Sequence, residues 1–332
     1  MAFLIFVLFI GLSGRILYLS EIFGSNFRLI SFSEFAILLF GATVFLFTKS
    51  SLNNTSFRLK DLWHYLPGLI YILFVIFYFM LPSNTVIVER IERGEFYTVV
   101  SILVGIGLSF NITYWVRSLV TFLYFRKSLK NELSYAVKTH FFFNFLIAIG
   151  IVLFVWVVVY LLSLFQVETL EREARQLIWL SIASIILLIT YYEMVQPAMF
   201  RVPLSQAPQK YAQSKLSSKD LESLKARLET IMLEKKPYLN KKLIKAELAE
   251  LLGVSNPELA RLLNERIGMN FFEFVNYYRI KEFIQLANTP RAKELTFFGL
   301  AQEAGFHSKT TFNKSFKNLM GTSPSAYFSK KL

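Results

Sequence analysis

Hydrophobic residues fill most of the first 200 positions and are grouped into six long stretches. Two of them, Leu66 to Leu81 and Phe141 to Gln166, contain no charged residue. A helix needs about 20 apolar residues to cross the hydrocarbon core of a bilayer, and nothing amphipathic is left here to cover a soluble core. The pattern predicts a membrane domain over residues 1–197 with about six transmembrane helices, at roughly 1–20, 31–48, 63–82, 97–125, 139–165 and 176–197.

The charges between the apolar stretches indicate which side of the membrane each loop faces. Basic residues predominate in the loops 49–62 and 126–138, whereas 83–96 and 166–175 mix arginines with glutamates. Lys and Arg concentrate in the cytoplasmic loops of membrane proteins. We therefore expect the two basic loops and both termini in the cytoplasm, where the tail beginning at Arg201 would reach DNA in a cell without a nucleus.

Polar side chains recur at every third position within the fourth stretch, so Asn111, Tyr114 and Arg117 share one helix face. Ionisable groups are costly inside a membrane and mark functional positions. Glu193 in the sixth stretch is expected at a depth similar to that of Arg117. The two could form an ion pair within the bundle, or both side chains could extend to the inner surface, and the sequence leaves both open.

Composition separates an apolar part of the chain from a basic part. Of the 332 residues, 54% are hydrophobic, and the net charge is +13. Residues 201–332 hold 22 Lys and Arg against 12 Asp and Glu, so most of the positive charge lies in this tail. A basic segment attracts nucleic acid or an anionic lipid surface. The absence of cysteine excludes disulfides, Cys-ligated zinc and Cys nucleophiles, and we expect neither a metal nor a cofactor.

A proline-rich segment separates the two parts, because Pro197, Pro203 and Pro208 interrupt any hydrophobic periodicity. We place a linker at 198–217 and a connecting helix at 218–237. The helix has one apolar stripe, formed by Leu221, Leu224, Leu228 and Ile231. This stripe would either pack on the domain that follows or pair two chains as a short coiled coil, which leaves a homodimer open.

An internal repeat occupies the tail, at residues 248–274 and 300–328. Both copies contain a small alanine, a glycine, a serine and two apolar positions four residues apart: Ala249, Gly253, Ser255, Leu259 and Leu263, then Ala301, Gly305, Ser308, Phe312 and Phe316. The glycine ends one helix, the serine caps the next, and the alanine lets the two helices cross closely. The repeat predicts two helix-turn-helix units, at about 248–268 and 300–321, within a DNA-binding domain over 238–332.

The second copy resembles the DNA-binding domain of AraC/XylS-type bacterial transcription regulators. The resemblance rests on the pattern A301-x3-GF-x-S-x3-F-x3-FK-x3-G-x-S-P-x2-Y, ending at Tyr327, and on Arg279 in the helix that connects the copies. The chain as a whole resembles the membrane-attached members of this family, which have a multi-span N-terminal half. It departs from the family at Phe283, where alanine is usual.

The resemblance implies that a recognition helix from each unit enters successive major-groove faces of double-stranded DNA. The family's base-facing positions fall on Asn256, Pro257, Glu258, Ala260 and Arg261 in the first helix, and on Lys309, Thr310, Thr311, Asn313 and Lys314 in the second. The first set contains one cation, Arg261, so we expect the first unit to read bases weakly or mainly to position the protein.

The expected protein is therefore a sequence-specific transcription regulator of the bacterial inner membrane with an all-α fold, a polytopic transmembrane helix bundle followed by a double helix-turn-helix domain. Its partners would be promoter or operator DNA, membrane lipid and RNA polymerase. The membrane half would either sense an unknown effector or serve as an anchor. No nucleotide-binding loop or hydrolase motif occurs, so we do not expect an enzyme. The alternatives are a transporter or membrane enzyme with an appended interaction domain, and a nonspecific DNA tether.

Overall fold

The structure, a computed structural model, describes residues 2–20, 22, 28, 31, 34–53, 55–137, 139–165, 181, 184, 185, 187, 191 and 218–329. The chain divides into two compact units, residues 1–124 with 139–205 and residues 125–138 with 206–332. Within the described ranges, the regular structure is helical apart from one isolated β-bridge. This confirms the all-α prediction. The loop expected at 126–138 groups with the C-terminal residues, whereas the sequence had assigned it to the membrane half.

Six α-helices make up the regular structure of the described N-terminal part. They are α1 (Ala2–Leu19), α2 (Ile37–Asn53), α3 (Leu66–Val75), α4 (Asn84–Glu92), α5 (Glu95–Glu132) and α6 (His140–Leu164). Helix α3 is extended by a 3-10 segment before it, Leu59–Tyr65, and by a π-helical segment after it, Ile76–Met80. Helix α5 continues from the first unit into the second.

Three helical segments of the described residues are long and apolar enough to cross a membrane: Leu59–Met80, Glu95–Glu132 and Phe142–Leu164. Helices α1 and α2 are also apolar but shorter. Large hydrophobic side chains such as Phe77 and Phe154 are exposed along these segments, as lipid-facing residues would be. Most of the sixth predicted span, 176–197, lies outside the described residues.

Two predicted loops are partly helical in the structure. The predicted connection 83–96 between two spans is mostly helical, because α4 occupies most of it, with Ile87 buried and an ion pair between Arg93 and Glu89 one turn apart. The helix that contains the fourth predicted span, 97–125, is longer than that span. Helix α5 runs on to Glu132, since the basic residues there are good helix formers and no Gly or Pro interrupts them.

The described C-terminal residues form seven α-helices. These are α7 (Ser218–Glu234), α8 (Lys245–Leu252), α9 (Asn256–Leu262), α10 (Phe271–Ala287), α11 (Phe297–Glu303), α12 (Lys309–Met320) and α13 (Pro324–Ser329). Helices α8 and α9 form the first helix-turn-helix unit, α11 and α12 form the second, and α10 connects them. Left-handed glycines end α8, α9 with its π-helical extension, and α12.

The first helix-turn-helix unit shares its hydrophobic core with α7. The stripe residues Leu221, Leu224 and Leu228 are buried in one cluster with residues of α8, α9 and the first half of α10, such as Leu248 and Leu259. Of the two roles that the sequence allowed for this stripe, the structure therefore shows packing within the chain. Burial of such a stripe supplies the stability that a short helix lacks alone.

The second unit has a core rich in phenylalanine, centred on Phe283 of α10. The ring of Phe283 is buried and lies in edge-to-face contact with Phe312 and Phe316 of α12, and it also contacts Phe297 and Phe328. Edge-to-face pairs are favoured by the aromatic quadrupole. Phe283, which stands where alanine is usual in the family, is thus surrounded by aromatic rings from α11, α12 and α13.

Replacing Phe283 by alanine should unfold the second unit at lower denaturant concentration, because truncation of a buried Phe costs about 3–5 kcal/mol. The change is measured by pulse proteolysis of the full chain in detergent, following cleavage within residues 271–329. Phe297→Ala is the matched control, since this ring belongs to the same cluster but is 37% exposed. Equal losses of stability for the two variants would contradict the assigned core.

Candidate nucleic-acid interface

In the first helix-turn-helix unit, a left-handed glycine and a capping box set the turn. Gly253 ends α8 with φ of +74°. Ser255 precedes α9, and its backbone N–H and hydroxyl both donate to the carboxylate of Glu258, each at 2.8 Å. This is half of a reciprocal capping arrangement, and it confirms the helix start expected at Ser255.

The turn of the second unit follows the same plan. Gly305 adopts φ of +93° after α11, and Ser308 caps α12 by accepting a hydrogen bond from the backbone N–H of Thr311 at 3.2 Å. The Ser308 hydroxyl also donates to Oγ1 of Thr311 at 2.8 Å. Side-chain capping satisfies N–H groups that have no partner within the helix.

The two units meet where Gly305 lies against the chain segment before α8. A Cβ atom at Gly305 would be 2.2 Å from the carbonyl oxygen of Tyr238 and 2.9 Å from Cα of Leu239. The hydroxyl of Tyr238 donates to Glu282 of α10 at 2.9 Å, and burial together with this carboxylate raises the pKa of Tyr238. Glycine is therefore required at 305 for close approach as well as for its backbone angle.

The second recognition helix, α12, presents most of its predicted base-facing residues to solvent. Lys309, Thr310, Asn313 and Lys314 are exposed, and their spacing places them on neighbouring positions of one helix face. Thr311 is different, because its side chain is only 7% exposed and is hydrogen-bonded to Ser308. The structure gives Thr311 a capping role, so four of the five predicted positions are open to a ligand.

The first recognition helix, α9, offers a smaller open surface. Its five predicted positions, Asn256, Pro257, Glu258, Ala260 and Arg261, are all half-buried. The carboxylate of Glu258 is engaged in the cap of its own helix. Nε of Arg261 donates to Glu265 one turn away at 2.9 Å. The acidic partner reduces the charge that Arg261 presents to a phosphate, which agrees with the expectation of weaker reading by this unit.

Arg279 of α10 is buried at the junction of the two units, with 1% exposure. Its guanidinium donates to the carbonyl oxygens of Tyr238, Asn240 and Ser134 at 2.7–2.8 Å, to the Ser134 hydroxyl at 3.1 Å and to Oδ1 of Asn276 at 3.2 Å. These acceptors are neutral, and burial lowers the pKa of Arg279 to about 9. The group therefore stays protonated at neutral pH and is held by hydrogen bonds.

The sequence revealed none of the partners of Arg279, and Ser134 is the most distant of them. It follows α5 and is separated from Arg279 by 145 positions, and no motif or periodicity surrounds it. The same applies to its neighbour Glu132, which forms an ion pair with Lys245 of α8 at 2.5 Å. The resemblance indicated Arg279 but not its partners, because contacts of such separation depend on the tertiary fold.

The polar residues of the fourth predicted span make contacts within the helical part of the N-terminal half. Asn111 donates to the backbone carbonyls of Ile37 and Gly107 at 2.8 and 2.7 Å, and the Tyr114 hydroxyl is hydrogen-bonded to Nδ1 of His64 at 2.8 Å. The Arg117 guanidinium lies 4.9 Å from the ring centre of Phe45, a cation–π distance. Glu193, its expected partner, lies outside the described residues.

Among the described residues, no group of three or more His, Asp or Glu side chains is arranged to hold a metal ion. The exposed face of α12 carries hydrogen-bonding groups and cations. Lys309 and Lys314 supply charge, and Thr310 and Asn313 supply polar groups of the kind that read base edges. Such a set suits binding and offers no nucleophile and base in a common site.

Two glycine substitutions separate backbone strain from close approach. Gly305→Ala should destabilise the second unit strongly, because its Cβ would overlap the Tyr238 carbonyl. Gly253→Ala is the matched control, with a similar left-handed angle but no atom nearer than 3.9 Å, and should cost only about 1–2 kcal/mol. Pulse proteolysis of the full chain compares them. Equal destabilisation would show that Gly305 serves only as a helix terminator.

Comparison with known proteins assigns the C-terminal part of this surface. A family described as a helix-turn-helix domain matches residues 248–330, about a quarter of the chain. No curated protein and no solved structure is matched. The matched range contains both recognition helices and the connecting helix with Arg279, and it agrees with the residues that carry the AraC/XylS resemblance. Residues 248–330 are therefore an AraC-type helix-turn-helix domain, the DNA-binding domain of a transcription regulator.

Proposed function

We propose that this protein is a membrane-bound transcription regulator that selects its promoter mainly with α12. The observation that supports this most directly is the open face of α12, where Lys309, Thr310, Asn313 and Lys314 are exposed next to a capped helix N-terminus. A recognition helix enters the major groove with its N-terminal residues leading, so this face is the one that would meet the bases.

The residues of this face have complementary roles in the proposal. Lys309 and Lys314 neutralise phosphates or donate to guanine, and Asn313 pairs with adenine through its amide. The Thr310 hydroxyl donates to or accepts from a base edge. The N-terminal end of α12 carries the positive end of the helix dipole, which favours approach to phosphate. Phosphate contacts set position and salt dependence, while base contacts choose the sequence.

The first unit acts in this proposal mainly as a positioning element. Arg261 would exchange its contact with Glu265 for a phosphate or a guanine, and Glu258 would stay in the helix cap. Two recognition helices on successive groove faces give more phosphate contacts than one, even if only one of them discriminates between bases. The partition of roles follows from burial, since α9 is half-buried where α12 is exposed.

The membrane half would hold this domain at the cytoplasmic face of the bacterial inner membrane. The three candidate spans of the described residues and the basic loops 49–62 and 126–138 support this arrangement. Promoter DNA, membrane lipid and RNA polymerase would be its partners, and a homodimer would be its form on two-fold symmetric sites. A sensing role is supported by Tyr114 and Arg117, which contact His64 and Phe45. Polar and ionisable groups are costly inside a membrane and mark functional positions there.

Substitutions in α12 test the DNA contacts. The DNA is a fragment enriched by genome-wide mapping of sites bound by the protein in its host, and binding is measured by fluorescence anisotropy with the full chain in lipid nanodiscs. Lys309→Ala and Lys314→Ala should each weaken binding about tenfold and lower the slope of log affinity against log salt by about 1. Asn313→Ala should relax the preference at one base pair, which is worth about 1–3 kcal/mol.

Lys225→Ala is the control for charge, because it removes one cation from α7, which is outside both recognition helices. It should leave the affinity within about twofold of the original. Unchanged binding by both the Lys309 and the Lys314 variants would refute the assignment of α12 as the reading helix. Equal affinity of the original protein for unrelated fragments would identify it as a nonspecific tether instead.

A chain with unrelated membrane segments tests sensing against anchoring. One unrelated span replaces residues 1–124, and an unrelated two-span hairpin replaces 139–205, while 125–138 and 206–332 are kept because they form one unit. We expect promoter occupancy to remain but to lose its response to growth conditions, because the proposed sensor is gone. Transcript levels of the target gene under varied conditions provide the measurement. Unaltered regulation would leave the membrane half as an anchor only.

A further inference from the structure

A short segment at the end of α5 is part of the fold of the DNA-binding domain. Residues 132–135, here called the docking segment, belong to the same compact unit as residues 206–332. Leu133 is buried and pairs with Ile244 in an isolated antiparallel β-bridge. The backbone N–H and the hydroxyl of Ser134 both donate to the carbonyl oxygen of Leu243, at 3.2 and 2.7 Å.

A charged pair holds the beginning of this segment. Nζ of Lys245 lies 2.5 Å from the carboxylate of Glu132, and the two side chains are 7% and 20% exposed. Partly buried pairs of this kind are sensitive to the loss of one partner, because the remaining charge loses its compensation. Glu132 is the last residue of α5 and Lys245 the first residue of α8, so the pair joins the ends of two helices.

The docking segment also completes the surroundings of Arg279. Its Ser134 supplies two of the acceptors of the buried guanidinium, the carbonyl oxygen and the hydroxyl. Nδ2 of Asn276 donates to the same carbonyl at 3.3 Å. Without the docking segment these donors would be left unsatisfied or exposed to water, and an unsatisfied buried donor is unfavourable.

The contacts of this segment extend from the first helix-turn-helix unit to the second. Leu243 and Ile244 lead into the first unit, whereas the Tyr135 ring lies 6.4 Å from that of His307, in the turn of the second. Arg279 itself lies beside the second unit, since its guanidinium carbon is 5.9 Å from the ring centre of Phe306. The docking segment therefore bridges the two units, in addition to α10 and to the close approach of Gly305 to Tyr238.

We propose that the docking segment controls DNA binding by holding the two helix-turn-helix units in the relative orientation that two successive major grooves require. The inference rests on the proposed function and adds the element through which the membrane half acts. Helix α5 contains a candidate span and ends at Glu132 without interruption. The docking segment therefore directly follows a candidate span in the chain.

The docked state is the one that binds DNA. With the segment in place, Lys309, Thr310, Asn313 and Lys314 remain exposed, so docking leaves the reading face of α12 open. Once the segment is undocked, the two helix-turn-helix units can change their relative orientation. DNA binding must then fix this orientation again, and the entropy lost in doing so lowers the affinity. A signal that pulls the segment away lowers promoter occupancy.

A disulfide tests the contact itself. The chain contains no cysteine, and Cβ atoms of residues paired across antiparallel strands lie about 4.5–5.5 Å apart, which a disulfide can bridge with small adjustment. Oxidation of L133C/I244C in native membranes should crosslink the chain and leave its affinity for DNA within about threefold of the original. The control pair is L133C/E250C, whose second position lies about 9 Å further along α8.

Charge exchange tests the effect on DNA binding. E132K and K245E should each weaken binding to the mapped fragment about tenfold, and the double variant E132K/K245E should recover most of that loss because it restores an ion pair. The double variant keeps the net charge of the original chain, and K130E on the exposed surface of α5 controls for charge alone. Binding is measured with the full chain in nanodiscs.

The outcomes separate this inference from the proposed function. Failure of L133C/I244C to crosslink more than the control pair would overturn the docking. Crosslinking together with original affinity in E132K and K245E would overturn its role in orientation while leaving the regulator intact. Equal binding of the unsubstituted protein to the mapped fragment and to unrelated DNA would overturn the proposed function. The crosslink would still report whether the segment docks.

Discussion

The burial of one guanidinium organises the DNA-binding unit. Arg279 lies where the segment before α8, the connecting helix α10 and the turn of the second helix-turn-helix unit converge. A buried arginine is tolerated only when its donors are matched by acceptors in fixed positions. The acceptors come from three stretches of chain, at Ser134, at Tyr238 with Asn240, and at Asn276 of the same helix. The arginine thus lies between parts that have separate hydrophobic cores.

The two helix-turn-helix units share a plan and differ in what they leave open. Both have a left-handed glycine and a serine before the recognition helix. In the first unit the acidic residue of the capping box, Glu258, is one of the predicted base-facing residues, and Arg261 is engaged by Glu265. In the second unit the capping partner is Thr311, which leaves the lysines on either side of it free of that task. The residue used for capping thus differs between α9 and α12, and with it the set of polar side chains left exposed on each helix.

Helix α5 has polar residues both within its apolar part and at its end. The amide of Asn111 on α5 donates to a neighbouring backbone, and the hydroxyl of Tyr114 is hydrogen-bonded to His64. Such pairing is what a membrane span would require. The same helix then leaves the apolar region, carries a basic surface and ends in the ion pair with Lys245. One helix therefore contains the features of a membrane span and of a domain contact.

Local patterns were sufficient for much of this architecture. Long apolar stretches predicted the helices α1, α2, α5 and α6, and the spacing of alanine, glycine and serine predicted both turns and their caps. These signals act within a few residues, through backbone angles, capping and hydrophobic periodicity, and they can be read without the fold. The identity of the domain followed from the second copy, which the family comparison covers together with the first.

Other features depended on residues that are distant in sequence. Phe283 is one example, because its ring is buried among Phe297, Phe312, Phe316 and Phe328, which other helices contribute. The hydrogen bond from Arg279 to Ser134 joins positions 145 residues apart. Nothing in the sequence around Ser134 indicates that it accepts from a buried guanidinium. Hydrogen-bond partners of buried groups are chosen by geometry in three dimensions, and for that reason only the tertiary structure revealed the docking segment.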